Sequence, residues 1–314
     1  MNPTREKIEY SLLCGVMTLL KLLPEGITEG MFRLFGALYF LFSFRRRNMT
    51  LKNLTIAFPE KTRRERRGIA WRVFQNMALF MGDSFLVMAN KLTPEKINER
   101  VDKESFEKYR EVASDSEAGH LHLSGHLGNW ELLANYTALS GFPATIIARQ
   151  GANQLIDEKI IIPMRTRHGN RIIYKDKAML NMVKTLRRGG TAAFMIDQKI
   201  GKKEGIPVRF FGEDILAVAS AAHIQIRFKP KVFMTFMIKT GPRKYKLKVS
   251  DPVEWIDDGS PESEQVQQLT QRYQSILEEM IRQYPDQWFW MHNRFKLMDA
   301  RTRRRRKRRA QTNN

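Results

Sequence analysis

The sequence predicts an α/β fold with a mixed central sheet flanked by helices, preceded by an N-terminal membrane-associated helical segment. Three observations predict it. From about residue 118 to residue 250, short apolar runs alternate with helical stretches, the pattern of a parallel or mixed sheet with helices on its faces. Two apolar runs precede that region, residues 8–23 and 31–44, with Pro24-Glu25-Gly26 between them as a helix stop and turn. A composition of 42% hydrophobic and 28% charged residues over 314 positions is that of a folded chain, long enough for one large core or two modest ones.

The elements follow in order. Neither N-terminal run reaches the roughly 18–20 residues of a comfortable spanning helix, and Lys21 and Arg33 interrupt them. They read as helices that dip into one leaflet or lie in the interface; a full span and a buried helical hairpin are the alternatives. Arg45-Arg46-Arg47 follows at once, which suits the cytoplasmic side. A cleavable signal peptide is not expected, because no small-residue cleavage site follows. Leu12-Leu13-Cys14-Gly15 departs from a lipoprotein box at the bulky Leu13. The chain divides into residues 1–47, the membrane-associated helices; 48–300, the main domain; and 301–314, a basic tail expected to be disordered.

Residues 48–90 read as helical, with Ile69, Val73, Met77 and Phe80 at helical spacing. Thr62 is placed to cap, and Glu65 to complete a capping box. Thr93-Pro94 opens another helix, Thr as cap and Pro in the first turn. Strands are expected at 119–124, 143–148, 171–174, 191–196, 230–238 and 244–249. Helices are expected at 129–140, 153–167, 176–188, 217–227 and 263–284, the last bounded by Pro261 and Pro285. Pro207 to Gly212 is expected to form a loop and short strand. The sequence shows no internal repeat.

Charge is concentrated. The chain carries 54 Lys and Arg against 33 Asp and Glu, a net +21. Arg45 to Arg72 and Arg301 to Arg309 each contribute a net +8. Such patches attract the phosphates of nucleic acid or of anionic lipid by the same electrostatics. The arginine run reads as a solvated tail touching anionic headgroups, each basic residue worth about 1 kcal/mol there; nucleic-acid contact and plain solubility are the alternatives. The single cysteine, Cys14, excludes a disulfide scaffold, an iron–sulfur protein and an all-cysteine zinc site.

The sharpest local feature is Ser124-Gly125-His126-Leu127-Gly128-Asn129-Trp130-Glu131. A strand ends, a glycine turn follows and a helix begins, which is where α/β proteins hold ligands. A carboxylate near an imidazole fixes its tautomer and stabilises the imidazolium, so His126 with Glu131 would form a general base acting on a hydroxyl. Read alone, the pair equally suits a structural histidine. His120, His122 and His126 also form His-x-His-x3-His, a metal-hydrolase alternative, but Ser124 and Gly125 stand where such motifs place an Asp and a His. The sequence has no Gly-x-Ser-x-Gly elbow, P-loop or Gly-x-Gly-x-x-Gly. Trp288, Phe289, Trp290 and Met291 read as packing of the C-terminal segment, with an acyl-chain groove or membrane-facing rim as the alternative.

Over roughly residues 10–300 the sequence resembles the bacterial lipid A late acyltransferases, within the glycerolipid acyltransferases that share a His-x4-Asp/Glu motif. The resemblance is carried in order by Arg45-Arg46-Arg47, Asn53-Leu54, Phe58-Pro59-Glu60, GHLGNWELL around His126, and Arg149 with Asn153 and Asp157. It continues through Asp197-Gln198, the PVRFFG segment from Pro207 to Gly212, and Pro285-Asp286-Gln287-Trp288 running to His292, Arg294, Phe295 and Lys296. It implies a glycerolipid-acyltransferase-like sheet in residues 48–300. His126 resembles the general base and Glu131 its carboxylate partner, with Glu where many relatives have Asp. Asp197 matches a second acidic position that also approaches the histidine in some relatives. The substrate-binding positions implied are Arg149, Asn129, Asn153, Asp197, Gln198 and Arg294, with Arg149 as a phosphate or carboxylate fork.

The resemblance further implies transfer of a fatty acyl chain from an acyl carrier protein thioester to a hydroxyl of an acyl chain on a Kdo-bearing lipid A precursor. The acceptor is a phosphorylated glycolipid, and the setting is an anionic membrane surface. No cofactor, metal or nucleic acid is implied. The expected location is the bacterial inner membrane, with the catalytic domain on the cytoplasmic side. The alternatives are a related acyltransferase using acyl-CoA on another glycolipid or a lysophospholipid, and a non-catalytic basic membrane or nucleic-acid-binding protein.

Overall fold

The computed structural model describes residues 3–114, 118–174, 178–198, 200–201 and 205–295. Six helices come first: α1 (Pro3–Leu22), α2 (Glu25–Phe42), α3 (Phe44–Ala57), α4 (Arg63–Met88), α5 (Pro94–Arg100) and α6 (Lys103–Ala113). The alternating region then runs β1 (His120–Ser124), α7 (Trp130–Leu139), β2 (Ala144–Ala148), α8 (Gln154–Ile156), a π-turn (Asp157–Ile161), α9 (Ile162–Thr166), β3 (Arg171–Tyr174), α10 (Ala178–Leu186) and β4 (Thr191–Met195). It ends with β5 (Gly205–Phe210), β6 (Glu213–Val218), α11 (Ser220–Phe228), β7 (Lys231–Gly241), β8 (Lys244–Val249) and α12 (Glu262–Gln283).

The main sheet has six strands in the order β3-β2-β4-β1-β7-β8. Its pairs are parallel except β7 with β8, so the sheet is mixed, as the alternation predicts. Helices cover both faces. Leu121, Leu123, Phe194, Val232 and Met234 face one core with α4, α10, α11 and α12 residues. Phe233 and Met237 face another with Leu132, Leu133 and Tyr136 of α7 and Tyr109 of α6. Burying apolar strand residues on both faces is what makes these strands read as continuous apolar runs.

The local signals act as expected at several helix starts. Thr62 accepts from the Glu65 N–H and Glu65 reaches back, closing the capping box. Thr93 caps α5, with Pro94 in its first turn. Two expectations need correcting. The helical span 48–90 is broken at Phe58–Thr62 into α3 and α4. Residues 213–218, expected to run into a helix from 217, form β6, which pairs antiparallel with β5 from Glu213–Phe210 to Val218–Gly205. The pairing partner, absent from any local window, decides the conformation there.

A buried polar network ties the N-terminal helices to this frame. Asp83 of α4 accepts from Arg100 Nη1 at 2.6 Å, from Asn129 Nδ2 at 3.1 Å and from the Tyr245 hydroxyl. Arg100 Nη2 continues to Glu25 of α2 at 2.7 Å. Around the other end, Asn53 of α3 donates to the carbonyls of Trp290 (2.7 Å) and His292 (2.5 Å), and Arg46 to that of Met291 (3.0 Å). Among the described residues, no single helix is long and apolar enough to cross a membrane; α2 and α3, bent by 85°, meet that length and composition only together.

Candidate active site

The site grows from the carboxyl end of β1. Gly128 sits at φ +68°, and a Cβ there would lie 2.0 Å from the Met237 carbonyl oxygen. Only glycine lets the turn approach β7 this closely. Gly128 N–H donates to the Gln287 carbonyl and Asn129 N–H to that of Met237, which seats the turn between β7 and the C-terminal segment. Gly128→Ala is expected to destabilise by at least about 1–3 kcal/mol from backbone strain alone, with the clash added. A large drop in the midpoint of thermal unfolding, measured by circular dichroism, checks this.

The turn presents His126 to Asp197, two residues past the end of β4. His126 Nδ1 lies 2.8 Å from Asp197 Oδ1, and the His126 backbone N–H donates to Oδ2 at 2.7 Å. Trp288 Nε1 donates to the same Oδ2 at 2.9 Å. Burial alone would push the Asp197 carboxyl up, but the imidazole charge, the two His126 N–H bonds and the Trp288 N–H outweigh it and hold it well below the usual carboxylate range. Burial likewise would lower His126, yet the Asp197 charge and hydrogen bond prevail and raise it above an ordinary histidine. An ionised carboxylate at Nδ1 keeps the proton on that nitrogen and leaves Nε2 unprotonated and able to accept one. Trp130 packs edge-on to the ring at 4.9 Å.

The carboxylate partner of His126 is thus Asp197, and the expected pairing with Glu131 is corrected. His126 lies three residues before the cap Asn129, outside α7, so the two residues share no helix face. Glu131 instead holds Arg165 of α9 in a two-point ion pair, Arg165 Nε to Oε2 at 3.0 Å and Nη2 to Oε1. Glu131 still acts on His126 through space, favouring the imidazolium.

Other expected substrate contacts fall elsewhere. Asn129 is buried, caps α7 by accepting from Leu132 N–H, and donates to Asp83. Asn153 caps α8 and donates to the Glu6 carbonyl and the Glu9 carboxylate of α1. Arg294 is buried and braces the Gln198 and Leu216 carbonyls and the Gln274 side chain. These three are structural ties, corrected from substrate contacts. Arg149 and Gln198 do line the cavity beside His126 and are exposed. The aromatic run follows the packing reading, with Trp288 and Trp290 buried in the core. Lys296 and the tail 301–314 lie outside the described residues.

The cavity that His126 faces has a volume of about 760 Å³ and takes in Glu131, Arg165, Ile146, Ala193 and Met182. His120 and His122 lie against Phe233 on the sheet face, and His122 also lines this cavity. Burial, with His120 beside it, pushes the His122 imidazole down to about 4, so it is neutral near pH 7. Among the described residues no group of three or more His, Cys, Asp or Glu side chains is placed to hold a metal ion. Arg165 and Trp288 acquire their places at the dyad only in three dimensions. Trp288 lies in a motif already visible in the sequence, whereas Arg165 has no local signal.

Comparison with known proteins gives a consistent result. The family model described as bacterial lipid A biosynthesis acyltransferase matches residues 2–297. The chain is 24% identical over 284 residues to a lipid A biosynthesis lauroyltransferase of Escherichia coli (strain K12), covering 90% of this chain and 89% of that protein. Identity and coverage are the same for a lipid A biosynthesis palmitoleoyltransferase of Escherichia coli (strain K12) and a lipid A biosynthesis acyltransferase of Shigella flexneri.

Proposed function

The chain belongs to the bacterial lipid A biosynthesis acyltransferase family and is an acyltransferase; from that premise we infer that it moves a fatty acyl chain from an acyl carrier protein thioester to a hydroxyl on an acyl chain of a Kdo-bearing lipid A precursor. The observation that carries the mechanism is the His126–Asp197 contact at the mouth of an apolar cavity. His126 Nε2 takes the proton of the acceptor hydroxyl, and the oxygen attacks the thioester carbonyl carbon. Asp197 stays ionised and stabilises the imidazolium. Arg165, oriented by Glu131, offers a fixed positive charge to the oxyanion that develops on the carbonyl. Collapse expels the thiolate, which takes the proton back from His126, leaving an ester and a free thiol.

The surroundings suit both partners. Arg45 in the first turn of α3 and Arg63, Arg64 and Arg67 in the first turns of α4 are exposed, basic charge apt for an acidic carrier protein and a phosphorylated acceptor. Leu12 and Leu22 of α1, Leu34 and Phe42 of α2, and Phe44 of α3 are exposed; exposed apolar side chains on helices that lead into basic sequence suit the interface of an anionic membrane. This is the reading we hold for location at the cytoplasmic face of the inner membrane, with the basic tail 301–314 adding to the attraction.

The test is acyl transfer in detergent. Purified protein meets the lipid A precursor and a panel of acyl carrier protein thioesters, and mass spectrometry reads the lipid. A product heavier by one acyl chain is expected; transfer from acyl-CoA but not from acyl carrier protein would overturn the donor assignment. The same assay separates the two carboxylates. Glu131→Gln is expected to lower transfer by roughly 10²-fold, within the span of lost oxyanion stabilisation, while moving the acid limb of the pH–rate profile less than Asp197→Asn does. A larger shift with Glu131→Gln would return it to the role of dyad partner.

A further inference from the structure

The cavity is not confined to one side of the sheet. Parallel register puts His122, Ala193 and Ile146 in one row, with their side chains on the face under α7. Ile147 and Phe194, one residue further along, therefore project from the opposite face, where Thr145 meets Thr185 of α10. Members of both sets line the same cavity. The reason lies in the pairing. β2 and β4 are paired only from Ala144–Thr191 to Ile146–Ala193, although β2 continues to Ala148 and β4 to Met195. The strands part at their carboxyl ends, and the cavity passes through the opening.

The two lobes end differently. Under α7 the lobe stops against His122, Thr137 and Ala144, all buried. From His126 the lobe passes Ser124 and reaches His122 inside β1. Under α10 the lobe is lined by Met182 and Met179. Met179 is 46% exposed and Leu180 beside it 56%, so this lobe opens to the surface through an apolar rim.

The reaction inferred above brings two apolar chains to one point: the acyl group of the thioester and the chain that bears the acceptor hydroxyl. Both must lead away from His126 without crossing. We propose that the parted strands separate them, the donor acyl chain entering the blind lobe under α7 and the acceptor's hydroxyacyl chain running into the open lobe under α10. This assignment rests on the acyltransferase reading of donor and acceptor. A donor chain leaves its carrier and must be wholly enclosed, so a blind lobe sets its length. An acceptor keeps its other chains in the bilayer, so its lobe needs an apolar way out.

The experiment uses the full chain, the phosphorylated glycolipid acceptor and acyl carrier protein thioesters of stepped length. Ala134→Leu narrows the blind lobe; the longest donor used by the parent should lose about tenfold or more in kcat/KM against shorter ones, with the acceptor KM unmoved. Ala193→Val probes the same lobe should Ala134→Leu not fold. Met179→Glu charges the open rim; the acceptor KM should rise about fivefold or more, an effect of the size of a charge set against a hydrocarbon chain, with the donor-length profile retained. Exchanged effects, or both variants acting on one chain, overturn the partition. If the parent transfers from no donor, the reading of donor and acceptor falls, and the partition with it.

Discussion

Replacing His126 by alanine is expected to lower acyl transfer by about 10²–10⁴-fold, the contribution of a positioned general base. Among the described residues the ring makes one hydrogen bond, to Asp197, and edge contacts with Trp130, Phe289 and His292, and the backbone N–H to Asp197 survives the substitution. The fold should therefore persist, with the thermal midpoint near that of the parent. Transfer retained at parental rates in a folded His126→Ala protein would sink the mechanism. His126→Gln should behave alike, since an amide at that position accepts a hydrogen bond but does not take up a proton near neutral pH.

Asp197→Asn is expected to be nearly as damaging, on the order of 10³–10⁴-fold, because an amide at Nδ1 no longer selects the tautomer with a free Nε2. The pH profile gives the finer test. Asp197 raises His126 against the opposing effect of burial. The base works unprotonated, so in the parent kcat/KM should rise with pH through an inflection above the ordinary histidine value of about 6.5. Without the carboxylate, burial prevails and the inflection should move down. Residual activity in Asp197→Asn with an unmoved acid limb would remove Asp197 from the dyad. Stability should follow the same linkage. Asp197 titrates low in the folded protein, so its contribution is present above about pH 3.8 to 4, its unfolded range, and is lost as pH falls toward its folded value.

Much of this was legible in the sequence. The inner strands of the main sheet are visible as short apolar runs bounded by Gly, Pro or charge, preserved by burial on both faces, and the edge strand β8 by its alternation of lysines with Tyr245, Leu247 and Val249. The capping box at Thr62 and the proline start at Pro94 are local signals with local consequences. The β5–β6 hairpin was less legible, since Asp214 to Val218 is apolar enough for either element and only its register with Gly205–Phe210 decides. The carboxylate beside His126 was open for a similar reason, Glu131 being favoured by spacing and Asp197 offered only by the resemblance. Asp197 stands 71 residues from His126 and reaches it because β4 lies next to β1, a neighbour relation set by crossover and not by spacing. Glu131 looked closer along the chain, yet the turn at Gly128 carries it toward Arg165. Asn129, Asn153 and Arg294 show the complementary lesson. Polar residues around an active site are often occupied in holding its walls.

Trp288 and its neighbours carry a consequence for biosynthesis. Asp197 depends on the Trp288 indole, and residues 290–292 are held by Asn53 and Arg46, 237 to 245 positions away in the chain. Contacts of such separation close late, after the intervening domain has paid its loop entropy. During translation the N-terminal helices leave the ribosome long before residue 288 exists. A nascent chain can thus form its N-terminal helices while Asp197 still lacks the Trp288 indole that braces it. The last pieces of the dyad's support are supplied only when the two distant stretches meet.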